Sequence, residues 1–321
     1  MRKSRLGKSG IGLGDEEASL SAYHDTDLFP HTSAWCSSRM DFIAILLAVS
    51  LVVWFWVPLA KLFTLASEDE HFSHILLVPI LAFYLLFMNR AAILTSRRES
   101  PVVGLLVMAS GAVCYWFAAG QHWTQDRLAV EMLAFIVTCW GLFLFSFGGR
   151  SFRNTLFPLM ILIFMIPLPT IFLDAVIGFL QRSSADTVDM LFSTLGIHTV
   201  REEFTFELSN FIIFIEGECS GIRSFFALII TSLVAGYWCL ESWWARAALV
   251  AVVLPLAIIK NAFRIIGLTL LANNLDPAFL IDSVLHRNSG IPLFIMSLAI
   301  IFSLTCLLRQ LERRFKRNLE A

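Results

Sequence analysis

The sequence predicts an all-α fold, a polytopic membrane helix bundle of about eight transmembrane helices. Hydrophobic residues make up 57% of the 321-residue chain and charged residues only 15%, which is too apolar for an ordinary soluble domain. Several runs approach or exceed the ~17–25 apolar residues that a spanning helix needs. These runs are too continuously apolar for the alternating strands of a membrane barrel. Because hydrocarbon demands internally paired backbone groups, they are predicted to be helices.

The chain is predicted to have three parts. The first 40 residues are polar and form a flexible cytoplasmic tail, residues 41–308 form the transmembrane domain, and residues 309–321 form a basic cytoplasmic tail. The longest segment outside the membrane is expected at about 167–219, before the sixth span. The predicted spans cover residues 42–60, 72–88, 101–119, 128–147, 155–173, 222–240, 247–271 and 290–308.

The placement of lysine and arginine predicts the orientation of the bundle, because these residues are enriched in cytoplasmic segments. With the N-terminus inside, the inner segments hold most of the 24 basic residues, and the short outer loop "SEDEHFSH" is acidic. We therefore expect a multi-pass protein of the cytoplasmic (inner) membrane with both termini in the cytoplasm. Arg127 and Glu131, at the outer end of the fourth span, are expected to form an interfacial ion pair.

Composition also argues against several function classes. The net charge of −1 argues against a nucleic-acid partner. The six cysteines fall mostly inside predicted spans and lack paired spacing, which argues against a disulfide framework and a zinc site. His71 and His74 follow three acidic residues at 68–70, but no ligand spacing supports a metal site there. We expect no cofactor and no metal ion.

The outer segment begins at the two prolines of "IPLPT" (166–170), where the fifth span ends. Neither proline donates a backbone hydrogen bond, so the helix is expected to break or kink there. Apolar residues then recur at helical spacing to about Leu195, which predicts one or two amphipathic helices on the outer face. Alternation over 204–208, followed by Ser-Asn and the apolar run 211–215, predicts a hairpin that leads to Cys219. The hairpin either serves packing alone or offers an edge strand that holds an extended peptide beside the thiol.

Cys219 lies in "EGECSGIRS" (216–224), at the outer end of the sixth span. Most cysteines in membrane proteins are apolar fillers, but glycines, serines and Arg223 surround this one at a membrane boundary, where positive charge lowers the pKa of a thiol. Arg264 lies about 10 Å below the outer end of the seventh span, and His286 precedes the eighth span on the same side. Topology therefore brings a thiol, a fixed cation and a base to one membrane face. These groups suffice for acyl transfer.

Arg264 is costly within a span, since insertion scales assign about 2.5–3.5 kcal/mol to an arginine at mid-helix, and such residues mark function. Lys260 and Asn261 precede it by one helical turn, so the three residues share a polar stripe. The stripe is either a structural hydrogen-bond network or part of a site. In the second case Lys260, Asn261 and Arg223 are candidates for substrate binding.

Three short motifs carry a family resemblance. The blocks "CSGIRS" (219–224), "NAFRI" (261–265) and "HRNSG" (286–290) resemble those of the exosortase/archaeosortase family. Supporting matches are "FSHILLVPI" (72–80) and "FMIPLP" (164–169). The resemblance covers about residues 70–305, and the tail before residue 40 lies outside it.

The resemblance implies a membrane cysteine peptidase and transpeptidase that sorts exported proteins. Its partners would be the bilayer, an acceptor, and precursor proteins whose C-terminal signal comprises a short motif (Pro-Glu-Pro in the commonest class), a spanning helix and a basic cluster. By this resemblance Cys219 forms a thioester at the scissile carbonyl. His286 stabilises the thiolate and then protonates the leaving amine, and Arg264 stabilises the oxyanion or the thiolate.

Two alternatives stand beside this hypothesis. A polytopic transporter or flippase for an anionic substrate would line its path with Lys260, Asn261 and Arg264. These residues gather near the outer end rather than at the midplane, and no inverted repeat of broken helices is visible. A transporter would tolerate alkylation of Cys219, whereas the enzyme would not. A protease that only hydrolyses uses the same residues as a transpeptidase, because this chain does not encode the acceptor.

Overall fold

The computed structural model describes residues 39–95, 100–119, 126–208, 212–215, 217–274 and 290–320. The chain divides into two compact units, Met1–Ile45 and Leu46–Ala321. In the first unit, the described residues form the beginning of the first helix. The second unit contains the helix bundle and the candidate site, which are described below.

Helices account for most of the described residues. They are α1 (Arg39–Trp54), α2 (Trp56–Glu68), α3 (Val78–Met88), α4 (Arg90–Thr95), α5 (Pro101–Ala119), α6 (Arg127–Asn154), α7 (Leu156–Ile161), α8 (Thr170–Thr194), α9 (Ile222–Cys239), α10 (Trp243–Asn274) and α11 (Gly290–Glu320). Short 3-10 helices cover Glu70–Leu76, Leu162–Met165 and Gly217–Ser220.

Within the described residues, six helical segments are long and apolar enough to cross a membrane, and the number rises to eight if each of two bent helix pairs is one span. The six are α5, α6, α9, α10, α11 and the segment His71–Met88. This result confirms the predicted all-α, polytopic membrane bundle. The bounds of α5 and α9 agree with the predicted third and sixth spans to within a residue.

The first and fifth predicted spans differ from single straight helices. α1 and α2 are bent by 62° at Phe55, within the predicted first span and three residues before Pro58, a residue type that favours kinks. The helical stretch Leu156–Met165 is bent by 90° from α8. It reaches only about 15 Å, roughly half of the ~30 Å hydrocarbon core. Pro167 and Pro169 follow this stretch and lack backbone N–H groups. Pro169 is also extended, with ψ 143°, so the helix ends before it.

The outer segment contains one long helix followed by a small sheet. α8 has 25 residues, which confirms the predicted amphipathic helix as one element rather than two. The antiparallel strands β1 (Val200–Glu202), β2 (Thr205–Glu207) and β3 (Ile212–Phe214) follow in the order β1-β2-β3. The predicted hairpin corresponds to the antiparallel pair β2–β3. β1, which was not predicted, pairs with the other side of β2 as a third strand.

The sheet and α8 pack together on the C-terminal half of α10. Phe192 of α8 meets Phe206 of β2 edge to face, with ring centroids 5.8 Å apart. Ile213 of β3 and Ala262 and Ile265 of α10 belong to the same buried cluster. Because apolar burial stabilises by roughly 25 cal/mol per Å², this cluster holds the outer segment over the part of α10 that carries the polar stripe.

α5 and α6 pack almost backbone to backbone. A Cβ added at Gly104 would lie 2.5 Å from the backbone nitrogen of Phe145, and one added at Gly141 would lie 2.9 Å from the carbonyl oxygen of Gly104. Small residues permit such close helix crossings in membranes. At the start of α6, Arg127 Nε donates to Glu131 Oε1 at 2.7 Å, which confirms the predicted ion pair.

Candidate active site

The Cys219 segment forms a tight turn directly before α9. The 3-10 helix Gly217–Ser220 carries the backbone of Cys219. Gly221 joins it to α9 with φ 80° and ψ 12°, a left-handed conformation that costs other residues about 1–2 kcal/mol. A Cβ added at Gly221 would lie 3.2 Å from Cγ and Oδ1 of Asn261. The turn therefore lies directly against the polar stripe of α10.

A chain of hydrogen bonds joins the first turn of α9 to α10. The amine of Lys260 donates to Ser224 Oγ, and Ser224 Oγ donates to the carbonyl oxygen of Gly221 at 2.8 Å. Lys260 is only 4% exposed. Because a buried ammonium group is costly without hydrogen-bond partners, this contact ties the cation to the turn that carries Cys219. The partner of Lys260 is a neutral hydroxyl group, so the contact does not neutralise the positive charge of the amine.

Two buried polar side chains of α8, Ser184 and Gln181, form hydrogen bonds with α10 and with the residues that precede the Cys219 turn. Asn261 Nδ2 donates to Ser184 Oγ at 3.1 Å, and Gln181 Nε2 donates to the carbonyl oxygen of Ile215 at 2.5 Å. Ile215 lies four residues before Cys219. α8 thus contacts both α10 and the stretch that leads from β3 into the Cys219 turn.

The two candidate arginines differ in burial. Arg264 lies one helical turn after Lys260 on α10 and is half-buried, whereas Arg223, in the first turn of α9, is exposed. The structure therefore gathers the Cys219 backbone, Lys260 and Asn261, with Arg264 one turn further along α10. His286 and the side chain of Cys219 lie outside the described residues, so the predicted approach of histidine to thiol stays a prediction.

Four polar residues of the site had no role in the sequence-based prediction: Gln181, Ser184, Ser220 and Ser224. Gln181 and Ser184 occupy the buried stripe of α8 that continues to Val188. A polar residue within an apolar stripe needs a partner when it is buried, and this signal was available in the sequence. The hydroxyl of Ser220 is buried and makes no hydrogen bond to the described residues.

His74 packs against α9, a contact that sequence reasoning missed. It is 7% exposed, and its ring stacks on Phe226 with centroids 4.8 Å apart. His71 instead contacts Asp69 Oδ1 through Nδ1 at 2.6 Å. The two imidazoles therefore have different partners. Across the part of the chain that the structure describes, no group of three or more His, Cys, Asp or Glu side chains is able to hold a metal ion.

The site places positive charge and hydrogen-bond donors close to the Cys219 turn. Lys260 and Arg264 lie one turn apart on α10, and Arg223 follows Cys219 by four residues. Fixed cations near a thiol favour its thiolate form, and fixed donors stabilise the oxyanion that develops when a carbonyl is attacked. Acyl transfer by a thiol requires such a set of groups.

Comparison with known proteins agrees with the resemblance in the motifs. A family model described as "Transmembrane exosortase (Exosortase_EpsH)" matches residues 65–303. The match begins in α2 and ends within α11, so it includes the three motifs and the site described above. No curated protein and no solved structure matches the chain.

Proposed function

Because the chain belongs to the transmembrane exosortase family, it is a membrane protein-sorting enzyme, and we propose that it is a cysteine peptidase and transpeptidase. Its substrates are exported precursors that end in a short motif, a spanning helix and a basic cluster, as the family resemblance implies. One observation carries the proposal: the turn of Cys219 lies against α10, where Gly221 contacts Asn261 and Lys260 donates to Ser224.

The proposed reaction begins with attack of the Cys219 thiolate on the scissile carbonyl carbon, which forms a carbon–sulfur bond. The tetrahedral oxyanion is stabilised by Arg264, whose guanidinium group stays charged at any local polarity and offers several directed donors. The carbon–nitrogen bond then breaks as His286 protonates the leaving amine. An acceptor amine or hydroxyl, or water, then attacks the thioester and gives up a proton to the neutral His286, and the carbon–sulfur bond breaks to release the thiolate.

The architecture also suggests where the precursor binds. In the proposed orientation both termini and the basic ends of the bundle face the cytoplasm, and the Cys219 turn faces the outside. The spanning helix of the precursor lies beside the bundle with its basic cluster inside. Its short motif then reaches the membrane surface near β3, an edge of the described sheet that ends five residues before Cys219. An edge strand is able to pair with an extended peptide.

Substitution of single cysteines tests the proposal. In membranes that contain the enzyme and a precursor with the three-part signal, Cys219→Ala and Cys219→Ser should slow processing by at least about 10³-fold, and full-length precursor should accumulate. Cys239→Ala, at the other end of α9, is the matched control and should process at the parent rate. Near-normal processing by either Cys219 variant, at equal enzyme abundance, would rule out this residue as the nucleophile.

A further inference from the structure

The end of α9 opposite the Cys219 turn borders a cavity that the proposed reaction does not use. Its volume is about 230 Å³, and it lies between the last turn of α9, the first turn of α10 and the final turns of α11. An 18-residue helix such as α9 spans about 27 Å. The cavity is therefore separated from the candidate active site by most of the thickness of the membrane.

Basic side chains dominate the charged lining of this cavity. The charged residues that line it are Arg246, Arg309, Arg313, Lys316, Glu241 and Glu312. Four cations face two carboxylates, so the lining favours an anion over a basic peptide. A cluster of basic residues at a membrane surface attracts anionic lipid, and each basic residue adds a similar amount to the free energy of lipid binding.

Both carboxylates are already engaged by other groups. Glu312, which is 8% exposed, accepts hydrogen bonds from the backbone nitrogen of Ser242 at 2.7 Å and from the Ser242 hydroxyl. Glu241 is paired with Lys316. Arg246 is also committed, because its Nε and Nη2 donate to the carbonyl oxygen of Leu240 at 3.0 and 2.7 Å.

Two guanidinium groups of the cavity remain available. Arg309 and Arg313 are exposed, and their side chains form no hydrogen bond or ion pair with the residues that the structure describes. They lie four residues apart, so they share one face of α11. Guanidinium groups present planar, paired donors that match the oxygens of a phosphate group.

A second, apolar cavity of about 150 Å³ adjoins the first. Both cavities are lined by Tyr237 and Arg246, and the second continues along the membrane-spanning part of the bundle past Ser232 and Val250. Tyr237 is held in place by Phe157, because the two rings stack with centroids 4.1 Å apart. A basic cavity at the end of the spans, next to an apolar one among them, matches the chemistry of a lipid better than that of a free anion.

We propose that this pair of cavities binds one anionic phospholipid. Arg309 and Arg313 hold its phosphate group, and one acyl chain enters the apolar cavity beside Val250. The basic end of the bundle is the cytoplasmic end by charge distribution, so the lipid belongs to the inner leaflet. This inference does not depend on the reaction proposed for Cys219.

Native mass spectrometry of the purified, delipidated protein tests the inference. Titration with phosphatidylglycerol should show one saturable lipid that binds more tightly than phosphatidylcholine. Loss of a basic residue near a headgroup costs about 5-fold in affinity, so Arg309→Gln/Arg313→Gln should bind phosphatidylglycerol about 25-fold more weakly. The matched control Arg314→Gln/Arg317→Gln changes two exposed arginines of α11 that do not line the cavity, and it should keep the wild-type affinity.

A second pair of variants tests whether an acyl chain occupies the apolar cavity. Val250→Phe fills the apolar cavity and should weaken binding of phosphatidylglycerol, whereas Val252→Phe, which lies outside the cavity, should not. Thermal unfolding of each variant without lipid separates loss of the site from loss of the fold. Equal binding of the two lipids by the wild type, or equal affinities of the two double-arginine variants, would overturn the proposal. Displacement of phosphatidylglycerol by inorganic phosphate at a similar concentration would also overturn the proposal. Saturable binding of an arginine-rich peptide in place of the lipid would do the same.

Discussion

Gly221 sets the path of the chain from the Cys219 turn into α9. Alanine at this position must keep φ near 80°, and its Cβ would lie 3.2 Å from Asn261. We expect Gly221→Ala to lower the free energy of unfolding by about 1–2 kcal/mol. Because the same turn carries Cys219, precursor processing per folded enzyme should also fall. Thermal unfolding in detergent and processing rates at equal folded protein measure the two effects.

Gly178→Ala is the matched control for this substitution. A Cβ added at Gly178, within α8, meets no atom within 4 Å. Alanine is also favoured over glycine inside a helix by about 1 kcal/mol. The control should therefore keep or raise Tm and process normally. Equal losses of stability and of processing in the two variants would contradict a special role for the close approach of Gly221 to α10.

Arg264 is expected to act through the shape of its guanidinium group as well as its charge. Lysine keeps the charge but loses the planar set of donors, so Arg264→Lys should lower kcat/KM by about 10²-fold or more with little change in Tm. Arg182→Lys, at an exposed position of α8, should leave both quantities unchanged. Processing at the parent rate by Arg264→Lys would show that charge alone suffices there.

At the scale of elements, β3 offers the clearest test of how the precursor motif binds. Ile212 is 63% exposed on this strand, five residues before the 3-10 helix that carries Cys219. Aspartate is unfavourable in strands, and charge on an edge disfavours pairing with another chain. We expect Ile212→Asp to raise KM for the precursor several-fold while kcat changes little. Kinetics over a range of precursor concentrations measure this split.

The opposite edge of the sheet supplies the control. Val200 on β1 is 62% exposed, which matches Ile212 in burial and in strand context. Val200→Asp should therefore leave KM near its parent value. Equal increases in both variants would indicate a general loss of sheet stability instead of peptide pairing at β3.

α8 shows what sequence periodicity could and could not predict about the site. The spacing of apolar residues predicted an amphipathic helix, because a surface helix must bury one stripe. The same stripe contains Gln181 and Ser184, whose partners are Ile215 and Asn261. Those partners are distant in the chain, and periodicity within one helix carries no information about contacts between elements. The hydrogen bonds that position the site therefore could not be predicted from the sequence.

At the scale of the whole molecule, the orientation of the bundle is a prediction from charge. The basic residues of α11 and the tail before α1 should face the cytoplasm, and the segment between α8 and β1 should face the outside. Alkaline phosphatase, which is active only outside, should be active when fused after His198 and inactive when fused after Ala321. Activities in the reverse order would invert the proposed topology and place the Cys219 turn inside.

Composition predicted the architecture because hydrocarbon leaves few alternatives to helices. It could not predict where spans break. The turn between α7 and α8 depends on two prolines, which sequence does signal, but its 90° angle depends on packing. Pro58, in the first turn of α2, signals the bend at Phe55 but not its 62° angle, and the stack of His74 on Phe226 joins residues that are far apart in the chain. The motifs predict candidate catalytic residues, whereas the contacts of Lys260 and Gly221 are visible only in the structure.

The central claim is that Cys219 carries the acyl group of the cleaved precursor. Purified enzyme is mixed with a sorting-signal peptide, without added acceptor, and quenched in acid for intact-mass analysis. The account predicts that the enzyme gains the mass of the N-terminal acyl fragment, that the adduct maps to Cys219, and that hydroxylamine releases it. Cys239→Ala should form the adduct normally, and Cys219→Ala should not form it. Cleaved product from Cys219→Ala, or an adduct on another residue, would contradict the account.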